Sequence, residues 1–135
     1  MNRKNFTSGT QWEGKVGYSR AVRVGDTVEV SGTTAVIDGQ IQCKGDMYGQ
    51  TKVVLALIEK ALGQAGLSMH HVVRTRMYVT DISRWEEAGK AHGEFFVHIR
   101  PATSMVEVSK LIDPDLLIEI EATAIISKEE PVEGW

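Results

Sequence analysis

Between residues 27 and 31 polar and apolar side chains alternate, Thr27-Val28-Glu29-Val30-Ser31, and the run stops at Gly32. A period of two is the mark of a strand with one face in a core and the other in water. The segment before it, 16–24, is rich in β-branched and aromatic residues, and Gly25-Asp26 separates the two, so they predict a hairpin. Asp38-Gly39 predicts another tight turn and 40–42 a short third strand. The period then lengthens. Val53, Val54, Leu57, Ile58, Ala61 and Leu62 form one stripe of a helix over about 46–65, with Gly66 suited to the left-handed position after its end. Strand character returns at 72–80, with Val73, Thr75, Met77 and Val79 on one face and Arg74, Arg76 and Tyr78 on the other. Asp81 or Ser83 caps a second helix reaching about 98, which carries Trp85, Ala88, His92, Phe95 and Phe96 on neighbouring faces. Arg100-Pro101 ends it, because the residue before a proline avoids helical backbone. Strands at about 104–109 and 117–127 follow, joined through the turn Asp113-Pro114-Asp115.

The order β-β-(β)-α-β-α-β-β predicts one domain, α/β or α+β, with five or six strands and both helices on one sheet face. A polar lead (1–14) and a charged tail (128–135) flank it. The last strand is the most informative. Ile118, Ile120, Ala122, Ala124 and Ile126 share the face that floors the helices; Glu119, Glu121, Thr123 and Ile125 share the other. That second face, like the one bearing Arg74, Arg76 and Tyr78, is either solvated or an interface between copies, where opposite charges must pair. Composition by itself favours the solvated face.

Length and charge narrow the classes. A chain of 135 residues, 42% apolar and 24% charged, has the make-up of a single globular domain. Fifteen Lys and Arg against 18 Asp and Glu leave a net charge of −3, so nothing points to nucleic acid. The single cysteine, Cys43, forms no internal disulfide and has no partner that would make it a nucleophile. No apolar run spans a membrane and the polar N-terminus is no secretory signal, so a cytoplasmic location is expected. Phosphate loops, nucleophile elbows and zinc motifs are absent. Of His70, His71, His92 and His98, the last two stand six apart on a helix, about 120° from a shared face, so no metal is expected.

The run 100–111, Arg-Pro-Ala-Thr-Ser-Met-Val-Glu-Val-Ser-Lys-Leu, with 117–124, Leu-Ile-Glu-Ile-Glu-Ala-Thr-Ala, closely resembles the C-terminal signature of the Rid family. These are the reactive intermediate deaminases, also called YjgF-like or endoribonuclease L-PSP proteins. Gly17-Tyr18-Ser19-Arg20-Ala21-Val22 with Val30-Ser31-Gly32 resembles the family's first hairpin. Gln64-Ala65-Gly66-Leu67 and Val79-Thr80-Asp81-Ile82 follow in the family's order. The resemblance implies a chorismate-mutase-like α+β fold and a homotrimer whose sheets form a central barrel, which would bury the polar sheet face. It further implies small-metabolite clefts at the subunit interfaces, hydrolysis of enamines or imines to a keto acid and ammonia, and no cofactor.

By the same resemblance Glu119 stands at the site glutamate, Tyr18 at the tyrosine that reaches a neighbouring subunit's cleft, and Ser31 and Gly32 at the end of the second strand. Three positions depart from the pattern. Thr103 stands where the family carries a carboxylate-binding arginine, Met105 where a cysteine is usual, and Gly89 where an asparagine is common. A threonine cannot offer a bidentate ionic fork, so efficient 2-imino acid deamination is not expected. Arg20, two residues from Tyr18 on the predicted strand, is a candidate replacement cation. Each assignment has a structural competitor: Glu119 as an ion-pair partner of Arg74 or Arg76, Tyr18 as packing, Ser31 as a strand terminus, Arg20 as a surface charge. The function classes in play are an enamine/imine hydrolase with an altered substrate, a non-catalytic ligand-binding trimer and, last because no basic patch is evident, a ribonuclease.

Overall fold

The computed structural model describes residues 2–127, so the expected charged tail at 128–135 lies outside the described residues. Six strands form one sheet in the order β1-β2-β3-β8-β6-β7. They are β1 (Arg3–Phe6), β2 (Ala21–Val24), β3 (Thr27–Thr33), β6 (Val72–Val79), β7 (Ala102–Glu107) and β8 (Ile118–Ile125). A separate two-stranded hairpin, β4 (Val36–Ile37) and β5 (Gln40–Ile41), turns at Asp38-Gly39. The expected third strand is thus real but outside the main sheet. Among the described residues only β6 and β7 pair in parallel, because the helix between them carries the chain back along the sheet.

The helices are α1 (Gln11–Val16), α2 (Met47–Gln64) and α3 (Trp85–Phe96). Asp46 caps α2 by accepting a hydrogen bond from Gly49 N at 2.8 Å. Asp81 caps the 3-10 turn Ile82–Arg84 that leads into α3. α2 lies across β3 and β8, and α3 packs on α2. Met47, Val54, Leu55, Ile58 and Leu62 of α2 meet Val28, Val30, Ile118, Ile120, Ala122 and Ala124 of the sheet in one core. Burial of each large apolar side chain contributes about 1.5–3 kcal/mol. Gln50, fully buried, ties the start of β8 to α2: its Nε2 donates to Asp115 O and its Oε1 accepts from Leu117 N, both at 2.8 Å.

Two expectations are corrected, and the polar lead, for which no element was predicted, contains β1, paired antiparallel with β2, and α1. The predicted strand at 16–24 is shorter, since Val16 ends α1 and Gly17 (φ 88°) closes it in the left-handed conformation that only glycine adopts freely. Val73 is not on the core face. A register shift between Val72 and Arg74 buries Val72 and turns Val73 outward, 43% exposed, while Thr75, Met77 and Val79 keep the inward face. A second shift, between Val30 and Thr33, falls at Ser31-Gly32.

Candidate functional site

The residues singled out by sequence separate into two groups. The first gathers where α1, the 17–20 loop and the bulged end of β3 meet. Ser31 Oγ donates to Ser19 O at 2.6 Å and Ser31 N to Arg20 O at 3.0 Å, which fixes the loop against β3. Arg20, at 13% side-chain exposure, turns into this corner. Its Nη1 donates to Gly32 O (2.8 Å) and Thr33 Oγ1 (3.0 Å), and its Nη2 reaches the Tyr18 hydroxyl at 3.4 Å. The guanidinium also lies 5.6 Å from the centre of the Tyr18 ring. Tyr18 and Arg20 do meet, but from an irregular loop rather than from one strand.

Behind Arg20 sits Glu13, buried in α1, with Oε2 3.9 Å from Arg20 Nε. Glu13 accepts from Thr7 Oγ1 (2.7 Å), Thr10 Oγ1 (3.0 Å), Ser8 N (3.3 Å) and Ser8 Oγ. Burial pushes its pKa up, but these bonds outweigh that and hold it below the usual carboxylate value. The sequence reading missed Glu13. Thr10-Gln11-Trp12-Glu13 has the S/T-x-x-E spacing of a helix start, a signal that was available.

Glu119 enters the same corner from β8. A β-carbon on Gly32 would lie 2.9 Å from its carboxyl carbon and closer still to Oε2, so the carboxylate rests directly on the bare backbone of Gly32. Burial raises the Glu119 pKa, the Glu121 charge raises it further, and Arg20 opposes both. No hydrogen bond is among those causes. Glu121 accepts from the Tyr78 hydroxyl at 2.6 Å. Glu119 is therefore a desolvated carboxylate with a raised proton affinity, opposite Tyr78 in register and within electrostatic reach of Arg20.

The second group lies on the opposite face of the sheet. Thr103 on β7 is in register with Thr75 on β6, and their hydroxyls are 2.7 Å apart. Thr75, fully buried, also lies 2.9 Å from His92 Nε2 of α3. Burial lowers the His92 pKa to about 4, so the ring is neutral at pH 7. Met105 packs against the core beside Met77. Within one chain Thr103 and Met105 are not brought to Glu119 and Tyr18. Sequence reading did not connect Thr75 or His92 to Thr103; a threonine on an apolar strand face opposite a histidine on a helix's apolar face was the available sign.

Gly89 faces outward into space bounded by the Trp85 ring, 3.9 Å from where its β-carbon would stand. Cys43 is exposed and free. Among the described residues no cluster of His, Cys, Asp or Glu could hold a metal ion, and no helix is long and apolar enough to cross a membrane.

A six-stranded mixed sheet carrying α2 and α3 on one face, with a carboxylate and a guanidinium at a strand bulge, defines a class of single-domain α+β proteins. The sequence pattern of one family in that class, endoribonuclease L-PSP, matches residues 10–126, and the chain belongs to this family, the Rid/YjgF proteins. It is 54% identical to Rv2704 of Mycobacterium tuberculosis, a member of the YjgF/YER057c/UK114 family, whose crystal structure superposes with a TM-score of 0.85 over 93% of this chain and 100% of that one. An uncharacterized protein of Streptomyces coelicolor is 38% identical over 90% of each chain. A RutC family protein of Pyrococcus abyssi is 38% identical over 79% of this chain and 84% of its own.

Proposed function

We propose that the protein is a homotrimer that binds a small metabolite in clefts between subunits and hydrolyses an enamine or imine there, a substrate other than a 2-imino acid. The observation that carries this reading is the desolvated Glu119 carboxylate held against Gly32 and within electrostatic reach of Arg20, which itself meets the Tyr18 hydroxyl. Its separation from Thr103 within one chain supports a cleft completed by a second copy. The outer sheet face supports assembly too: Val73, Val106 and Ile125 are exposed there, interspersed with Arg76, Tyr78 and Glu121.

In this reading water adds its oxygen to the C=N carbon, the C–N bond breaks, and both water protons leave on nitrogen as ammonia. Glu119 holds and returns a proton, which its raised pKa suits. The Tyr18 hydroxyl, braced by Arg20, orients the water or the nitrogen. Arg20 has most of its fork engaged by Gly32, Thr33, Tyr18 and Glu13, so it offers a ligand little more than charge. Ser31 and Gly32 form the floor, and Thr103 with Met105 lines the far wall. No cofactor enters the reaction, and the protein works in the cytoplasm. The uncharged Thr103 favours one second reading, a trimer that binds its ligand without turning it over.

Imines generated in situ by an amino-acid oxidase test the proposal. Turnover of 2-imino acids is expected to fall about 100-fold or more below that of an arginine-bearing relative, the worth of one lost charge-assisted fork. Thr103→Arg should recover part of it, and Glu119→Gln should abolish turnover of any accepted imine. Wild-type turnover equal to the relative's would overturn the substrate assignment. Binding without turnover of carboxylated or neutral imines would favour the second reading.

A further inference from the structure

The hydroxyl of Thr103 is the outer end of a chain of buried polar groups that runs through Thr75 to His92. Nothing in that chain is charged at neutral pH: two hydroxyls and an imidazole whose charged form burial disfavours. Thr75 is fully buried and His92 is 9% exposed, whereas Thr103 is exposed, so the chain has one outlet. A hydroxyl donates once and accepts, and a neutral imidazole donates from one nitrogen and accepts at the other. The three groups therefore have two self-consistent arrangements. With the proton on Nε2, His92 donates to Thr75, Thr75 donates to Thr103, and Thr103 is left with a free O–H donor. With the proton on Nδ1, the chain reverses: Thr103 donates inward, Thr75 donates to Nε2, and the Thr103 oxygen faces outward as an acceptor. One change of His92 tautomer thus exchanges donor for acceptor at the surface without creating charge.

We infer that Thr103, Thr75 and His92 form a neutral relay that selects an uncharged polar group of the ligand, an amide, carbonyl or hydroxyl, and disfavours a carboxylate. The inference rests on the proposed cleft lying at Thr103. A carboxylate needs a cation or several donors to replace its water, and the relay offers a single O–H. An amide or hydroxyl loses less on leaving water and gains a matched partner in either tautomer, and a carbonyl does so in the tautomer that leaves Thr103 a donor. Thr75 and His92 touch no ligand; they are positioning residues that set what Thr103 presents.

The test uses a matched pair of probes, 2-oxobutanoate and 2-oxobutanamide, with binding followed by the methyl resonance of Met105, two residues along the same strand face. The amide is expected to bind about ten-fold more tightly, the equivalent of one well-made hydrogen bond. Thr75→Val, which keeps the shape and removes the hydroxyl, should erase that preference with Tm showing the fold retained. Nitrogen-15 shifts of His92 give a ligand-free readout: Thr103→Val should move the Nε2 resonance through Thr75. Equal or tighter binding of the acid, or a preference that survives Thr75→Val, overturns the inference. So does a His92 signal indifferent to Thr103→Val. If neither probe perturbs Met105 while the His92 signal still answers to Thr103→Val, the inference falls because the cleft is misplaced. If the acid binds as well as the amide, the cleft stands and the relay's selectivity alone fails.

Discussion

Gly32 and Glu119 act as one unit, and a single methyl group separates their roles in stability and in chemistry. Gly32 is not in a left-handed conformation, so alanine meets no backbone strain there; it meets only the end of the Glu119 side chain. That end is flexible and can move aside. Gly32→Ala should therefore change stability by less than about 1 kcal/mol, the unfolded-state gain offsetting the local shift. Yet it should lower imine turnover at least about ten-fold, because a displacement of about 1 Å at a proton-transfer group is costly. Denaturant unfolding and activity on one sample check both halves. His92 makes the complementary prediction. Its folded pKa, about 4, lies below the unfolded value near 6.5, so the unfolded chain binds the proton more readily. Its contribution is complete above pH 7, declines as pH falls from 6.5 to 4, and levels off below. The total is about 3 kcal/mol. His92→Phe should flatten that part of the pH–stability curve.

The N-terminal elements are held by Glu13 more than by packing. β1 and α1 bury little apolar surface, and α1 is six residues long, too short to stand alone. The carboxylate gathers Thr7, Ser8 and Thr10 on one side and Arg20 on the other. Glu13→Ala removes the acceptor shared by Thr7, Ser8 and Thr10, which are themselves exposed, and the ion pair to Arg20, which keeps Gly32 O and Thr33 Oγ1 as acceptors; the loss should be about 1–2 kcal/mol. Hydrogen exchange should show β1 and the 17–20 loop opening while α2 and β8 stay protected. Because Glu13's pKa is lowered on folding, its contribution is present above the unfolded value of 4.5 and disappears as pH falls through the folded one. Tyr18 hangs on this same loop, so the variant should lose turnover before it loses its core.

For the whole molecule the prediction is mass. The assembly should weigh three times 14.9 kDa by light scattering. Arg76 is exposed on the outer sheet face directly opposite Glu121. Arg76→Glu would place two like charges together where the proposed interface buries them, so it should dissociate the proposed trimer while leaving each subunit's core intact. A stable wild-type monomer would remove the interface clefts, and with them the proposed catalysis.

Much of this protein was legible in the chain itself, where the signal is periodic and local. The alternation in β8 follows the period of a strand buried on one face, and it assigned each of Ile118 to Ala124 to its side correctly. The stripe from Val53 to Leu62 located α2 and most of its buried face, although Leu55, outside the stripe, is fully buried and Leu57, inside it, is only half-buried; the runs at 100–111 and 117–124 carried the family. What the chain could not show were departures from period and contacts between distant segments. The bulge that puts Val72 in and Val73 out shifts register by one residue and leaves no mark in composition. The lead carried no predicted element because its order comes from hydrogen bonds to one buried carboxylate, not from an apolar stripe. The two halves of the candidate site were indistinguishable as sequence. Thr103 reaches Thr75 across 28 residues, and Thr75 reaches His92 across 17. The parallel register of β6 and β7 decides which hydroxyls meet and the packing of α3 which ring joins them, since a hydrogen bond depends on position in space to within a few tenths of an ångström and separation along the chain does not encode it.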